Sequence, residues 1–228
     1  MILIGLTGQK RSGKDTCADA ILEISNGKKK SFAQLLKWAL TVNWPQNVGE
    51  TLYFEDFDGH GFDREERLRI SDNKLALRTY FISCVEYLRK NYGLKGYFNF
   101  NHIINKYEDW TIRRLLQTLG TDIVVQMDEM FWVKHVVCDY IDSFDKEVYI
   151  ITDCRQTHEI ETVRNLGGTI IHLRKPGINN DKHITEQELP VKEGDIILNN
   201  DSDLETFIKK VQNEYSRIRS IKSSTEQS

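Results

Sequence analysis

The chain alternates short apolar runs with segments whose apolar residues recur at helical spacing. Residues 2–7 form a continuous, branched apolar run, typical of a strand buried on both faces of a parallel sheet. A glycine-rich loop follows, and Ala20, Ile21 and Ile24 then recur at helical spacing. The pattern therefore predicts a strand, a loop and a helix over the first 24 residues.

The last third of the chain repeats this alternation. Apolar runs at 147–152 and 169–173 predict buried strands on either side of a helix at 157–166. Shorter strands are predicted at 30–32 and 195–198, and Ser202 with Glu205 predicts a capping box that opens a final helix reaching residue 218. Five strands alternating with helices indicate an α/β fold, a P-loop three-layer sandwich with a mostly parallel five-stranded sheet. Ligands of such sheets bind beyond the carboxyl ends of the strands.

The middle third is predicted to be helical. Helical spacing covers 33–42 and 74–92, and a short helix at 111–119 is predicted to end at Gly120, with Thr121 capping a further helix towards residue 143. The polar stretch 46–73 is too long for an ordinary connection and indicates a functional insertion. The length favours one domain. We divide it into a core at about 1–45 and 144–220, a helical region at about 46–143 and a lid at about 175–190.

The loop after the first strand carries the pattern G-x-x-x-x-G-K, from Gly8 to Lys14. Between a buried strand and a helix this pattern predicts a P-loop, in which main-chain N–H groups and the helix N-terminus hold phosphates. Lys14 would reach the phosphate in transfer. The predicted ATP-binding residues here are Gly8, Lys10, Arg11, Ser12, Gly13, Lys14, Asp15 and Thr16.

The residue after the lysine departs from the usual serine or threonine. Asp15 occupies that position and Thr16 follows it. Either side chain has an oxygen that can hold Mg²⁺, directly or through water, and the sequence does not choose between them. A favourable charge in the first helical turn explains Asp15 equally well. The predicted cofactors are ATP and Mg²⁺.

A carboxylate and a guanidinium follow the predicted strand 147–152. Asp153 is placed where a metal-binding or acceptor-orienting acid belongs, and Arg155 can bind a phosphoryl group through two hydrogen bonds. A surface ion pair between them is the alternative. We assign Lys14, Asp153 and Arg155 as the catalytic residues.

Further cations and aromatic residues are candidates for binding an acceptor. Arg113, Arg114 and Arg64 suit a phosphate, although each taken alone is more simply a solvated charge. Trp132 could stack on a base, but aromatic residues at helical spacing usually belong to a core. Cations around the loop 176–190 indicate a lid that excludes water during transfer, with an ordinary exposed loop as the alternative.

Composition and charge exclude several classes of protein. With 31 Lys and Arg against 34 Asp and Glu, the net charge of -3 gives no long-range attraction for nucleic acid or a membrane surface. The apolar N-terminus is too short for a signal peptide or a membrane span. Four dispersed cysteines indicate reduced thiols, and the histidine spacing predicts no zinc. We therefore expect a cytoplasmic protein.

Several segments resemble the phage deoxynucleoside monophosphate kinase family: KRSGKDT at 10–16, RRLLQTLGTD at 113–122, FWVK at 131–134, TDCRQTHE at 152–159 and HITE at 183–186. The resemblance covers most of the chain in order. It implies transfer of the ATP γ-phosphate to a deoxynucleoside 5′-monophosphate in the host cytoplasm. Whether the chain forms a homodimer is left open. The resemblance also implies that Asn200 lies on the adenine side of ATP. The implied acceptor residues, with Arg113 added from its charge, are Lys37, Arg64, Arg113, Arg114, Gly120, Thr121, Trp132, Asp153, Arg155, Gln156, Glu159 and Thr185.

The sequence leaves two alternatives to a nucleotide kinase open. A P-loop ending in GKD with a later D-x-R also occurs in phosphomevalonate kinases of animals, so the first alternative is another small-metabolite kinase, acting on phosphomevalonate or dephospho-coenzyme A. A nucleotide-dependent switch protein is the second alternative. A GTPase would need N-K-x-D after a late strand, and the nearest string, at 105–108, lacks the aspartate.

Overall fold

The structure, a computed structural model, describes residues 1–177 and 189–225. It contains two compact units: a core unit of Met1–Phe32 with Val133–Ser228, and a helical unit of Ala33–Trp132. The described strands are β1 (Ile2–Thr7), β2 (Gly27–Lys30), β3 (Val148–Ile151), β4 (Thr169–Arg174) and β5 (Ile196–Asn199). The described α-helices are α1 (Lys14–Leu22), α2 (Ala33–Val42), α3 (Phe54–Asp58), α4 (Lys74–Tyr92), α5 (Ile112–Gln117), α6 (Phe131–Asp142), α7 (Thr157–Asn165) and α8 (Leu204–Thr225).

The core unit is built on a five-stranded sheet in the order β2-β3-β1-β4-β5. Every pairing is parallel, and Ile4 of β1 lies beside Ile150 on one side and Thr169 on the other. The predicted α/β fold with a parallel five-stranded sheet is confirmed. Because all the strands run the same way, their carboxyl ends share one edge of the sheet.

Both faces of the central strand are covered, which explains its uninterrupted apolar sequence. Ile4 and Leu6 of β1 point towards a cluster that includes residues of α1 and α8. On the opposite face Gly5 lies under Val163 of α7, where an added Cβ would come 3.3 Å from a methyl carbon of Val163 and 2.8 Å from one of Ile170. Glycine at this position therefore permits the close packing of α7 on the sheet.

The second strand was predicted at 30–32 and is found at Gly27–Lys30. The prediction failed because β2 is an edge strand of three lysines that has no apolar run. Gly27 pairs with Val148 in the strand, and glycine is needed there because a Cβ would meet a side-chain methyl of Leu22 at 2.6 Å and the main-chain oxygen of Val148 at 2.9 Å.

The predicted helix stop at Gly120 and the cap at Thr121 are wrong. A π-helix, Thr118–Val125, follows α5 directly and runs through both residues. Gly120 is needed for close packing, because an added Cβ would lie 2.8 Å from Cδ2 of Leu36 in α2. The predicted cap of α5 at Thr111 is confirmed, since its side chain accepts the N–H of Arg114.

The predicted capping box of Ser202 and Glu205 is also wrong. Asp203 caps α8 instead, with its carboxylate accepting the main-chain N–H of Thr206 at 2.9 Å and the hydroxyl of Thr206 at 2.7 Å. An ionised carboxylate at this end is favoured by the helix dipole over a serine hydroxyl. The helix also continues past the predicted residue 218 as far as Thr225.

The predicted insertion 46–73 contains α3 and a 3₁₀ turn, Arg69–Asp72.

The four cysteines are free thiols, and burial raises the pKa of Cys17 to about 12, which leaves that thiol unreactive. Among the helices that the structure describes, none combines the length and apolarity of a membrane span.

Candidate active site

The loop between β1 and α1 bends through backbone conformations that most side chains avoid. Gly8 has φ 143°, Arg11 has φ 63° and Gly13 has φ 100°. Glycine adopts such values without steric cost, whereas Arg11 is held in a left-handed conformation by the loop around it. The main-chain N–H groups of such a turn, followed by a helix N-terminus, form a site for anions.

The ends of the neighbouring strands β4 and β5 contact this loop. A Cβ on Gly8 would overlap the main-chain oxygen of Leu173 in β4. After β5, the side-chain amide of Asn200 donates to the main-chain oxygen of Ser12 at 3.0 Å, and its main-chain N–H donates to Arg174 at 2.7 Å. The loop is therefore fixed by the carboxyl ends of β4 and β5.

The ammonium group of Lys14 lies over the loop. Its Nζ donates to the main-chain oxygens of Gly8 at 2.7 Å and Gln9 at 2.8 Å. Ser12 is 1% exposed, and its hydroxyl has no hydrogen-bond partner among the described residues. In the first turn of α1, Asp15 is exposed and Thr16 is half-buried.

A cavity of about 470 Å³ adjoins the loop in the core unit. Its wall is formed by the start of the loop, the ends of β4 and β5, and the residues after them. The lining residues are Thr7, Gly8, Gln9, His172, Leu173, Arg174, Lys175, Pro176, Leu189, Asn199 and Asp201.

Asp153 follows β3 and is anchored to the end of β2. One carboxylate oxygen accepts the hydroxyl of Ser31 at 2.7 Å, and the other accepts the main-chain N–H of Phe32 at 2.7 Å. Asp153 is only 9% exposed, and these bonds fix the orientation of its carboxylate. Ser31 was missed from the sequence, although it lies one residue after the observed end of β2.

The turn after Asp153 is fixed by the buried carboxyl of Glu159. One oxygen of Glu159 accepts the main-chain N–H groups of Arg155 at 2.6 Å and Gln156 at 2.9 Å. Burial, with a further contribution from Asp153, raises the pKa of Glu159 from 4.5 to about 8. Glu159 therefore holds the backbone from which the side chains of Arg155 and Gln156 project.

The cationic candidates of the helical unit are held by local partners. Lys37 pairs with Asp58 at 2.7 Å, and although burial raises the pKa of Asp58, Lys37 and other nearby cations bring it below its usual value. The guanidinium of Arg64 donates to the main-chain oxygen of Phe57 and packs over Gly59. These contacts fix both cations in defined positions.

The arginine pair at the start of α5 is held in two different ways. Arg113 pairs with Glu65 at 2.5 Å. Arg114 donates to the main-chain oxygen of Asp109, and its guanidinium lies 4.9 Å from the ring centre of Tyr107. The two side chains therefore have separate anchors.

Trp132 is packed inside the helical unit. It is 4% exposed, and its indole N–H donates to the main-chain oxygen of Gly120 at 3.0 Å. Phe131 is also buried, with its ring edge-on to that of Trp132 at 4.9 Å. The indole bond fixes Gly120, and Thr121 beside it, within the π-helix.

Comparison with known proteins identifies the family. A model of the deoxynucleotide monophosphate kinase family matches residues 2–211. The chain belongs to this family. It is 38% identical to the deoxynucleotide monophosphate kinase of Enterobacteria phage T4 and 38% identical to that of Escherichia phage RB69. Each alignment covers 93% of this chain and 98% of the relative.

Family membership makes the protein a kinase, and the predicted P-loop lies within the matched residues. Some predicted residues of this kinase lie outside the described ranges. Thr185, with Lys182, His183 and most of the predicted lid, falls within 178–188. In 1–177 and 189–225, no group of three or more His, Cys, Asp or Glu is placed to hold a metal ion.

Proposed function

We propose that this kinase transfers the γ-phosphate of ATP to the 5′-phosphate of deoxynucleoside monophosphates, giving ADP and deoxynucleoside diphosphates for DNA synthesis. The observation that carries the proposal is the family match over residues 2–211. Within these residues a glycine loop lies at the edge of a parallel sheet, and Lys14 donates a hydrogen bond to its main chain at Gly8. An oxygen of the acceptor phosphate forms the new bond to phosphorus, and the bridging oxygen of ADP leaves.

The glycine loop binds the triphosphate of ATP in this proposal. The main-chain N–H groups of 8–16 surround the β- and γ-phosphates, and Lys14 exchanges its bonds to Gly8 and Gln9 for phosphate oxygens. Lys10 and Arg11 add positive charge. The cavity beside the loop accepts the nucleoside part, with Asn200 on its adenine side. This placement is supported by the adjacency of loop and cavity, which share Gly8 and Gln9.

The acceptor nucleotide is bound by cations and by the turn after β3. Arg64, Arg113 and Arg114 suit the acceptor phosphate because guanidinium groups bind phosphate oxygens in pairs. Arg155 stabilises the charge on the phosphoryl group in transfer, and Asp153 orients the acceptor. The remaining proposed contacts to the acceptor are Lys37, Gly120, Thr121, Trp132, Gln156 and Glu159.

Magnesium fits the oxygen-donating side chains at the start of α1. Asp15 is exposed and Thr16 partly so, next to Lys14, and hard oxygen ligands suit Mg²⁺ together with phosphates. When bound, the ion would neutralise charge on the phosphates. We propose a cytoplasmic enzyme that binds neither nucleic acid nor membranes, with a homodimer as the alternative to a monomer.

An acceptor panel tests the proposal. ADP release is measured with ATP, Mg²⁺ and each of the four common deoxynucleoside monophosphates, and separately with phosphomevalonate and dephospho-coenzyme A. We expect release to depend on a deoxynucleotide. Stimulation only by one of the other two acceptors, or ATP hydrolysis that no acceptor stimulates, would refute the proposed function and favour another kinase or a switch protein.

A further inference from the structure

Two adjacent residues of the helical unit each have a buried polar atom without a hydrogen-bond partner among the described residues. Nε2 of Gln117 and Oγ1 of Thr118 are both shielded from solvent, and neither has a partner among the described residues. Burying a polar group without a hydrogen bond is unfavourable, so such groups are rare in folded proteins. Gln117 is half-buried and Thr118 is fully buried, so the Gln117 amide is the group whose hydrogen bonding a ligand can complete.

The position of Gln117 along the helix places it among the proposed acceptor residues. Arg113 and Arg114 precede it by four and three residues, and Gly120 and Thr121 follow it by three and four. Residues three and four apart share one side of a helix. Within α5, Gln117 therefore lies on the same side as Arg113 and Arg114, while Gly120 and Thr121 belong to the π-helix that follows.

The backbone around the two side chains is unusual and firmly held. Gln117 ends α5, and Thr118 begins the π-helix. Short π segments are rare and frequently mark functional sites. Gly120 packs against Leu36, and its oxygen accepts the indole N–H of Trp132 at 3.0 Å, so this turn is held in place.

The chemistry of Gln117 differs from that of its neighbours. Guanidinium groups such as those of Arg113 and Arg114 suit phosphate oxygens. A carboxamide presents a donor beside an acceptor, the arrangement that pairs with the edge of a nucleobase. We infer that the side-chain amide of Gln117 binds the base of the acceptor nucleotide and helps to set which deoxynucleoside monophosphates are phosphorylated. This inference rests on the proposed function and adds a specificity residue to it.

The test compares Gln117→Leu and Gln117→Glu with the wild-type enzyme. For each of the four common deoxynucleoside monophosphates, kcat and KM are measured at saturating ATP. Removing the amide is expected to raise the acceptor KM about tenfold for the preferred bases and less for the others, so that the ratios of kcat/KM between bases change. The KM for ATP should stay the same. Gln117→Glu, which exchanges a donor for an acceptor, should change the ratios in a different direction from Gln117→Leu.

Gln126→Leu is the matched control, because Gln126 follows the same π-helix and is exposed. It should keep the wild-type ratios. Calorimetric binding of each monophosphate without ATP gives a second readout, in which Gln117→Leu should lose affinity selectively. If Gln117→Leu does not fold, Gln117→Glu alone decides the question.

Two negative results are distinguishable. Wild-type base ratios in every folded Gln117 variant, or an equal loss for all bases, would overturn the specificity role and leave the proposed function intact. A wild-type enzyme that accepts no deoxynucleoside monophosphate would refute the proposed function itself.

Discussion

The side-chain amide of Asn200 donates a 3.0 Å hydrogen bond to the main-chain oxygen of Ser12, 188 residues earlier in the chain. The same amide nitrogen lies 2.6 Å from the place where a Cβ of Gly13 would be. The end of β5 therefore contacts the turn that leads into α1. This contact connects the last strand of the sheet with the proposed triphosphate site.

Removing that amide should weaken ATP binding. Asn200→Ala loses a hydrogen bond to the loop, which is worth about 1 kcal/mol, so KM for ATP should rise about fivefold. The acceptor KM should change little. Initial rates at varied ATP measure the effect, with Asn213→Ala on the exposed side of α8 as the control. An unchanged KM for ATP in Asn200→Ala would show that this bond does not shape the ATP site.

Arg155→Ala should reduce kcat more than it reduces ATP affinity. In the proposed mechanism Arg155 stabilises charge that develops during transfer, and loss of one such donor typically costs about 10²-fold or more in kcat. Arg155→Lys should restore only part of the rate because an ammonium cannot reproduce the paired hydrogen bonds of a guanidinium. Steady-state kinetics with both substrates varied separate kcat from KM. A wild-type kcat in Arg155→Ala would remove this residue from catalysis.

Glu159→Gln should change how stability depends on pH. Burial and Asp153 raise the pKa of the native carboxyl to about 8. Between about pH 4.5 and pH 8 the native state therefore keeps a proton that the unfolded state has released, and the free energy of unfolding falls as pH rises. The variant keeps an oxygen to accept the N–H groups of Arg155 and Gln156 but does not titrate.

The measurement is urea unfolding of wild type and Glu159→Gln at intervals from pH 5 to pH 8. The stability of the wild type should fall relative to the variant by about 1 kcal/mol for each pH unit. Glu205→Gln, on the exposed start of α8, is the control and should follow the wild-type curve. Parallel curves for wild type and Glu159→Gln would show that Glu159 is ionised throughout this range.

Asp195→Asn should destabilise the core unit. The side chain of Asp195 is 4% exposed and pairs with Arg164. It accepts the main-chain N–H of Lys192 at 2.8 Å and lies 3.0 Å from Nε2 of His172. Burial raises its pKa, but the bonds from Arg164, Lys192 and His172 outweigh burial and bring it below its usual value. Removing one partner of a buried ion pair typically costs about 3 kcal/mol.

Urea unfolding at neutral pH measures this loss. The native pKa of Asp195 is lowered. The difference in free energy of unfolding between wild type and Asp195→Asn should therefore disappear as pH falls through that pKa. Asp145→Asn, which alters an exposed pair with Lys146, should have little effect. Equal stability of wild type and Asp195→Asn at neutral pH would contradict the proposed role of the ion pair.

The sequence predicted the elements whose apolar pattern and end signals agree. The bounds of β1, α2 and α4 are those predicted, because continuous apolar runs or helical spacing end at residues such as Pro45 and Gly93. The edge strand β2 was misplaced because its lysines show no apolar pattern. Gly120 was misread because a glycine required by a neighbouring helix looks the same in sequence as one that ends a helix.

For the candidate site, the sequence located the glycine loop and the turn after β3, since both follow strongly apolar strands. It did not indicate that Ser31 holds Asp153 or that Asp195 pairs with Arg164. These contacts depend on which strands become neighbours in the sheet, and local sequence carries no information about that. The lack of a hydrogen-bond partner for Nε2 of Gln117 and Oγ1 of Thr118 is likewise a property of the folded structure among the described residues, and the sequence did not predict it.

Transfer of labelled phosphate tests the central claim most directly. The wild-type enzyme is incubated with ATP labelled at the γ-phosphate, Mg²⁺ and a deoxynucleoside monophosphate, and the products are separated. We predict label in the deoxynucleoside diphosphate for wild type and for Lys209→Ala, which alters an exposed lysine of α8, and none for folded Lys14→Ala. Absence of labelled diphosphate with the wild type, or wild-type transfer by Lys14→Ala, would contradict the account.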